Sequence, residues 1–393
     1  MARHPAQGPD RHGPNAIWAG DGPGRPAPAR LRRRGRVVTL PPNRWPASPV
    51  ADAGDAGTSG NGRTTVKTSK AALSRRTTLG LGLVAGTAVA ARAADYPTRP
   101  IRIIVPYTPG GFTDLSARLV AEPLSRALQQ PVVVENRPGA NSILGAGIAA
   151  TSPADGYTLV MVLPAHAANA TLQAGKMPFD SIRSFAPVSL IATSPLVMAS
   201  GKHLPARGFT EFLAYARARP GALTYGSSGI GSTAHLAMEL LQIRTGLRMV
   251  HAPYRGTQPA LQDLIGGNIG AMFDVDSALR PQFQAGSILP LGIAAAQRAG
   301  FAPGMPTFEE QGVADFVVST WSMLLAPAGT PAEIVGRIST EIAKIVREPA
   351  MTARLLGMGL LAEGRSPEGT ADLLRSEVDR WATVIRTANV TVE

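Results

Sequence analysis

Hydroxyl side chains and glycines crowd three short segments of the sequence, residues 108–114, 139–142 and 226–233. Backbone N–H groups at helix N-termini and hydroxyl donors can together hold a small anion without Lys or Arg. The pattern therefore predicts a site for a carboxylate-sized anion, although some of these side chains are also typical of ordinary helix N-caps. The hydroxyl donors concerned are Thr108, Thr113, Ser142, Ser227, Ser228, Ser232 and Thr233.

The glycine patterns do not favour a nucleotide site. Gly226 and Gly231, followed by Ser232, have the spacing of a phosphate-binding loop, but the lysine that would meet the phosphates is missing. Gly145 and Gly147 imitate a dinucleotide fingerprint inside a predicted helix rather than at a strand-to-helix turn. We interpret this second pair as packing glycines.

The sequence offers little for catalysis or metal binding. His235 and Glu239 have the i, i+4 spacing of metal ligands, but a zinc site needs further ligands, so local hydrogen bonding by His235 near a helix N-terminus is favoured. The chain has no cysteine and no G-x-S-x-G nucleophile elbow. Asp274 and Asp276 could form a catalytic carboxylate pair, but a ligand-facing or loop-capping role is favoured. We expect no enzyme activity, no metal and no cofactor.

Short apolar runs alternate with helical patterns from residue 101 onwards, which implies crossover connections and a largely parallel sheet. Ligands of such sheets bind beyond the carboxyl ends of the strands, where the three donor-rich segments converge. The predicted strands cover residues 101–105, 131–136, 157–162, 188–199, 223–226, 249–254, 269–273 and 288–294. The first predicted helix begins at Thr113, and the others cover residues 143–150, 210–219, 233–245, 259–265, 331–348, 349–358 and 367–388.

The net charge of +12 is concentrated in the first quarter of the chain. Residues 1–94 hold 15 Lys and Arg against 4 Asp and Glu, whereas residues 95–393 hold 24 against 23. The larger part therefore has no global field to attract a polyanion, and we expect no nucleic-acid partner. Residues 1–65 are rich in Pro, Gly and Arg without periodicity, and this composition predicts a disordered tail.

Residues 66–94 have the order of a signal peptide, with a basic start, an apolar stretch from Leu79 to Ala91 and a small-residue cleavage pattern near Ala93. The Arg75-Arg76 pair resembles a twin-arginine signal, although Thr78 stands where that signal prefers a large apolar residue. Because no methionine lies between Met1 and Met161, we hypothesise that translation starts at Val66 from a GTG codon and that residues 1–65 lie upstream of the true start.

Longer motifs follow one another along residues 95–393. They are Tyr96-Pro97-x-Arg99-Pro100-Ile101, Val105-Pro106-x-x-Pro109-Gly110-Gly111-x-x-Asp114-x-x-Ala117-Arg118, Val132-Val133-Val134-Glu135-Asn136-Arg137-Pro138-Gly139-Ala140, Asp155-Gly156-Tyr157-Thr158-Leu159, Tyr225-Gly226-Ser227-x-Gly229-x-Gly231-Ser232, His235-Leu236-Ala237-x-Glu239-Leu240, Pro253-Tyr254-Arg255-Gly256, Met305-Pro306-Thr307-Phe308-x-Glu310-x-Gly312 and Ala326-Pro327-Ala328-Gly329-Thr330-Pro331. In this order they closely resemble the Bug-type extracytoplasmic solute receptors, the substrate-binding proteins of tripartite tricarboxylate transporters.

The resemblance implies an α/β fold, a two-lobed periplasmic binding protein of type II with a cleft between two largely parallel-sheet, Rossmann-like lobes. Lobe I would combine residues 95–197 and 318–393, and lobe II would cover residues 198–317. The chain crossings near 194–199 and 318–322 would form the hinge. By the same resemblance the ligand-binding residues would be Tyr107, Pro109, Gly110, Gly111, Phe112, Thr113, Asp114, Asn141, Ser142, His166, Ser228, Gly229, Gly231, Ser232, Thr233 and Asp274.

The sequence departs from the family pattern at three places. Asn141-Ser142 stand where relatives usually have two glycines, Phe112 replaces a residue that is often small or polar, and Trp321-Ser322-Met323 replaces a Trp-x-Gly pattern. These departures bear on the identity of the ligand rather than on the fold.

The resemblance implies a monomeric periplasmic receptor that captures a small organic carboxylate and delivers it to the membrane subunits of a tripartite tricarboxylate transporter. A sensor or scavenging protein that signals to a membrane kinase is an alternative that sequence alone does not separate. A secreted hydrolase using His166 or His235 is disfavoured because no nucleophile–base pair has a recognisable spacing. A transcriptional regulator is disfavoured by the export signal and by the missing helix-turn-helix.

Overall fold

The computed structural model describes residues 96–392, and the predicted tail and signal peptide lie outside them. Strands and helices alternate through most of this part of the chain. The strands are β1 Ile101–Val105, β2 Val132–Asn136, β3 Thr158–Val162, β4 Phe185–Gly201, β5 Thr224–Ser227, β6 Val250–Pro253, β7 Ala271–Val275, β8 Ile288–Ile293, β9 Ser319–Pro327 and β10 Leu361–Ala362. The helices are α1 Phe112–Leu128, α2 Ile143–Ala150, α3 Ala165–Leu172, α4 Phe209–Arg217, α5 Thr233–Thr245, α6 Thr257–Gly266, α7 Asp276–Gln284, α8 Ala332–Arg347, α9 Pro349–Gly357 and α10 Pro367–Ala388.

The strands form two sheets that share β4. In the first sheet β2, β1 and β3 are parallel, and β9 and β4 follow with antiparallel pairing. In the second sheet β6, β5 and β7 are parallel, and both β7 and β8 pair antiparallel with β4. The long strand changes partners between Pro195, which pairs with Ser319, and Leu196, which pairs with Val275. This arrangement confirms the two-lobed α/β fold.

The change of partners in β4 falls inside the predicted crossing at 194–199, and β9 begins inside the predicted crossing at 318–322. Both crossings are therefore continuous strands that are hydrogen-bonded to each other over residues 185–195 and 319–327. The hinge and the lobe limits stay predictions, because strand pairing does not show how the lobes move or where the chain divides between them.

Apolar side chains fill both faces of the first sheet. Helices α1 and α8 cover one face with residues such as Leu124 and Ile338, while α2, α3 and α10 cover the other. Helix α6 packs Leu261 and Leu264 against the second sheet. Gly145 lies so close to Pro106 that a Cβ atom would stand 2.7 Å from the proline Cβ, which confirms its interpretation as a packing glycine.

The predicted helices 143–150, 233–245 and 367–388 have those bounds in the structure, whereas β9, α3 and α7 were absent from the predicted set. None of the helices within residues 96–392 is both long enough and apolar enough to cross a bilayer.

Candidate functional site

A cavity of about 670 Å³ lies at the carboxyl ends of the parallel strands, with walls from both sheets. Its lining mixes hydroxyl, amide and apolar groups with one basic and one acidic side chain. The lining residues are Tyr107, Thr108, Gly110, Gly111, Phe112, Thr113, Leu115, Asn141, Leu163, Ala165, Leu196, Ser228, Ser232, Thr233, Ala234, Arg255, Gly256, Thr257, Gln258, Asp274, Val275, Ser277, Ala278, Thr320, Met358 and Leu360. The position agrees with the general rule for ligand sites in open α/β sheets.

Five of the helices in the described part of the chain begin at this cavity, namely α1, α3, α5, α6 and α7. The first N–H groups of a helix lack intrahelical acceptors and carry partial positive charge. A side-chain cap satisfies one of these groups in α5, whereas α1, α3, α6 and α7 have no such cap. The cavity is therefore surrounded by donors suited to an anion.

The loop before α1 is held by a buried carboxylate. Asp114 accepts hydrogen bonds from Gly110 N at 2.9 Å, from Arg118 Nε at 3.0 Å and from Asn136 Nδ2 at 2.9 Å. Burial alone would raise the pKa of Asp114, but these hydrogen bonds outweigh it and the pKa is lowered. Asp114 thus shapes the Gly110–Gly111 turn instead of lining the cavity.

The loop before α2 has an unusual backbone. Ala140, Asn141 and Ser142 have φ of 45°, 48° and 79°, a left-handed run that non-glycine residues rarely adopt. Asn141 lines the cavity and is tied to α3, because Asn169 Nδ2 donates to its carbonyl oxygen at 2.8 Å. Ser142 is 1% exposed and lies beneath the lining.

The loop between β5 and α5 contributes Ser228, Ser232 and Thr233 to the cavity. Ser232 is the N-cap of α5, since its Oγ accepts from His235 N at 3.2 Å. The oxygen is used by the helix, while the hydroxyl hydrogen is still available to a ligand. His235 Nδ1 accepts from Gly231 N at 3.1 Å, which is the local hydrogen bonding that the sequence favours for this histidine.

Behind this loop lies a buried stack of rings. The imidazoles of His235 and His251 have centroids 3.7 Å apart, and His251 stacks in turn on Tyr225. Burial and then the neighbouring His251 lower the pKa of His235 to about 3, and burial lowers the pKa of His251 to about 4. Both rings are therefore neutral at pH 7 and support the loop by packing and hydrogen bonding.

The charged groups of the lining are Arg255 and Asp274. Arg255 is exposed and follows β6, and within residues 96–392 its guanidinium has no carboxylate within the 4.0 Å limit of an ion pair. Asp274 is the last but one residue of β7, is partly exposed and lines the cavity. Burial raises the pKa of Asp274, and hydrogen bonds from Thr257 and Val275 oppose this effect.

The structure brings most of the predicted ligand residues together and leaves others outside. Tyr107, Gly110, Gly111, Phe112, Thr113, Asn141, Ser228, Ser232, Thr233 and Asp274 line one cavity. Pro109, Asp114, Ser142, His166, Gly229 and Gly231 do not line it. His166 lies between Phe179 and Phe185, and its Nε2 donates to Ser181 O at 2.9 Å.

Sequence reasoning missed several lining residues, among them Thr257, Gln258, Ser277 and Thr320. Thr257 and Ser277 lie in the first turns of α6 and α7, where a strand that is followed at once by a helix could have indicated them. Thr320 belongs to β9, which was not predicted as a strand.

The described residues include one close serine–histidine pair, in which Ser227 Oγ and His251 Nε2 are 2.7 Å apart. Ser227 is fully buried, so its hydroxyl cannot reach a substrate in this conformation. No group of His, Asp and Glu in the described part of the chain is arranged to hold a metal ion.

Two mixed sheets that each contain three parallel strands, a shared crossing strand and a cavity at the ends of the parallel strands define a two-lobed periplasmic binding protein of type II. The sequence model of a protein family, the tripartite tricarboxylate transporter family receptor, matches residues 116–390. The chain belongs to this family, and the resemblance to Bug-type receptors is confirmed. The protein BugT of Bordetella pertussis is 35% identical over 307 residues, which cover 77% of this chain and 93% of BugT.

Solved structures give the same result. R. palustris Rpa4515, solved with adipate, is 36% identical with a TM-score of 0.69, and the match covers 76% of this chain and 99% of that chain. MatC from Rhodopseudomonas palustris, solved with bound malate, is 31% identical with a TM-score of 0.65 over 74% of this chain and 100% of MatC.

Proposed function

We propose that this protein is a periplasmic receptor that binds a small organic carboxylate between its lobes and delivers it to the membrane subunits of a tripartite tricarboxylate transporter. The observation that carries the proposal is the meeting of five helix N-termini at one cavity that holds a single basic side chain among its lining residues. Such a site balances one or two carboxylates better than a trianion or a phosphate ester.

The carboxylates bound by similar proteins support the ligand class. Rpa4515 was solved with adipate and MatC with malate, and both are small acids. The cavity volume of about 670 Å³ is within the range usual for small-molecule sites. On this proposal the protein binds without catalysing a reaction, needs no cofactor, and acts as a monomer.

A ligand screen tests the binding step. The purified protein is heated with mono-, di- and tricarboxylates, amino acids and sugar phosphates, and the unfolding temperature is recorded. A ligand at 100 times its dissociation constant stabilises the folded state by about 2.7 kcal/mol, which gives a readable shift. Tight binding of citrate or a sugar phosphate, without binding of any smaller acid, would contradict the proposed ligand class.

A transport assay tests the delivery step. Cells that lack the gene should lose uptake of the labelled ligand identified in the screen, and a plasmid copy should restore it. If uptake is unchanged while ligand-induced gene expression is lost, the protein acts in signalling instead of transport.

A further inference from the structure

One acidic side chain faces a cavity that otherwise presents donors. Asp274 lies at the end of β7, and its side chain borders the same space as the uncapped N-termini of α6 and α7. In its ionised form an acid at this place weakens the attraction for a ligand that carries only carboxylate groups. Its presence therefore calls for an explanation in terms of the ligand.

The internal partners of Asp274 leave part of its hydrogen-bonding capacity free. Thr257 Oγ1 donates to Oδ2 at 2.6 Å, and Val275 N donates to Oδ1 at 2.8 Å. An ionised carboxylate offers about four acceptor positions. Among residues 96–392 no Lys, Arg or His forms an ion pair with this carboxylate. The unused acceptor positions have the cavity as their open side.

Thr257 fixes the orientation of the carboxylate. It is the first residue of α6, and its hydroxyl links the start of that helix to the end of β7. Two donors on two different oxygens hold the group in one orientation, so the remaining acceptor positions point in defined directions. A ligand carboxylate placed there would set acceptor against acceptor, whereas a ligand hydroxyl or ammonium would supply the missing donor.

We propose that Asp274, oriented by Thr257, selects ligands that carry a hydroxyl or ammonium donor beside the carboxylate. The inference rests on the proposed function and narrows its ligand class to hydroxy acids and amino acids. Arg255, which lines the same cavity and has no carboxylate partner among the described residues, supplies the positive charge for the ligand carboxylate. The carboxylate of Asp274 and the guanidinium of Arg255 in one cavity match a ligand that has both a hydrogen-bond donor and a carboxylate.

Two series of acids test the proposal, and within each series the acids share one carbon skeleton and differ only in a hydroxyl or ammonium group. Affinities for succinate, malate and aspartate, and for adipate and 2-aminoadipate, are measured by titration calorimetry with the wild-type protein. In at least one of the two series the donor-bearing acid should bind at least tenfold more tightly than its parent diacid. Equal or tighter binding of succinate and adipate overturns the inference and leaves the proposed receptor function in place.

Two variants assign the preference to this residue. Asp274→Asn replaces one acceptor oxygen by an N–H donor at almost the same size, so the preference should fall below threefold. Thr257→Val removes the orienting hydrogen bond but keeps the negative charge, so the preference should fall only in part. A preference that is unchanged in Asp274→Asn overturns the inference.

Controls distinguish a loss of ligand preference from a folding defect and from a failure of the proposed function. Asp274→Asn should unfold within a few degrees of the wild-type protein, and it should bind the parent diacid at least as tightly as the wild type does. If Asp274→Asn is unstable, Thr257→Val alone carries the test, and an unchanged preference in that variant contradicts the proposal. A wild-type protein that binds none of the acids contradicts the proposed function itself and this inference with it.

Discussion

Trp321 and Glu377 are joined inside the protein by a hydrogen bond of 2.9 Å from the indole Nε1 to the carboxylate Oε2. The same oxygen accepts a second hydrogen bond of 2.9 Å from the indole of Trp381. Arg380 completes the network with contacts to Glu377 Oε1 and to Val317 O. The network fastens helix α10 to the start of β9, where the chain returns to the first sheet.

We expect Glu377→Ala to lower the free energy of unfolding by about 3–5 kcal/mol, because it leaves two buried indole N–H groups without their acceptor and the partly buried guanidinium of Arg380 without its carboxylate partner. Denaturant titration followed by tryptophan fluorescence measures the loss. Asp379→Ala, an exposed acidic position on the same helix, is the control and should change stability by less than about 0.5 kcal/mol. Equal effects of the two variants would refute the role of the network.

Ser232 should matter for both stability and binding. Ser232→Ala removes the N-cap of α5 and should cost about 1 kcal/mol of stability. It also removes a donor from the cavity lining, and the loss of one charge-assisted hydrogen bond of about 1.5–3 kcal/mol weakens binding about 10- to 150-fold. Calorimetry with the ligand from the screen and thermal unfolding measure the two effects.

Ser366 provides a matched control for Ser232. Its Oγ caps α10 through Gly369 N at 3.2 Å, the same distance as in the Ser232 cap, and it does not line the cavity. Ser366→Ala should lose similar stability and keep its affinity. If both variants bind the ligand as the wild-type protein does, Ser232 is a cap alone.

Gly231 should be needed for closure of the site. A Cβ atom at this position would stand 2.5 Å from Leu172 Cδ1 and 3.6 Å from Asn141 Nδ2, and these two residues follow strands of the other sheet. Gly231→Ala should therefore weaken ligand binding about 5- to 150-fold, which corresponds to an overpacking cost of about 1–3 kcal/mol. X-ray scattering should show that this variant shrinks less than the wild-type protein when ligand is added.

Substitutions at Gly175 and Leu172 separate the two effects of Gly231→Ala, backbone strain and the close contact of the new Cβ atom with Leu172. Gly175 has a φ of 74°, close to the 76° of Gly231, but a Cβ atom there would meet nothing within 4 Å. Gly175→Ala thus reports backbone strain alone and should leave affinity unchanged. Adding Leu172→Ala to Gly231→Ala should restore part of the affinity, and a failure to do so would speak against contact across the cavity.

His166 should make the protein less stable in acid. Burial lowers its pKa to about 4, so between about pH 4 and the ordinary value of 6.5 the unfolded state binds a proton that the folded state does not. Stability therefore falls as pH falls through this window, and the contribution of one histidine approaches an order of 3 kcal/mol at its acid end.

His166→Gln tests this assignment because glutamine can donate to Ser181 O and does not titrate. The free energies of unfolding of the two proteins are compared from pH 7 to pH 4. The difference between wild type and variant should shift in favour of the variant as pH falls. A constant difference across the range would mean that His166 is not responsible for the acid sensitivity.

The elements with strong local signals are the ones that the sequence predicts well. Helix α5 has a serine cap before it and Gly246 in a left-handed conformation after it, so both ends are marked. Strand β9 is buried along all nine residues and lacks the alternation that indicates a strand. Helix α7 contains Pro281, which hides its helical period.

The site was predictable as a set of loops and less so as a set of side chains. Residues 108–114, 139–142 and 226–233 were expected to converge at the strand ends because parallel strands bring those ends together. Which way a side chain turns depends on long-range partners, and so Asp114 is occupied by Arg118 and Asn136, while His166 is enclosed by Phe179. That these lining residues bind the ligand stays a prediction.

The five helix N-termini around the cavity have a consequence for the speed of ligand capture. Their fields fade within about one helical turn, and the 24 basic and 23 acidic residues of positions 95–393 nearly cancel at longer range. An acid in solution is therefore drawn in only once it has reached the cleft. Its association rate should change little between low and high salt, and most of the differences in affinity between related acids should come from how long each one stays bound.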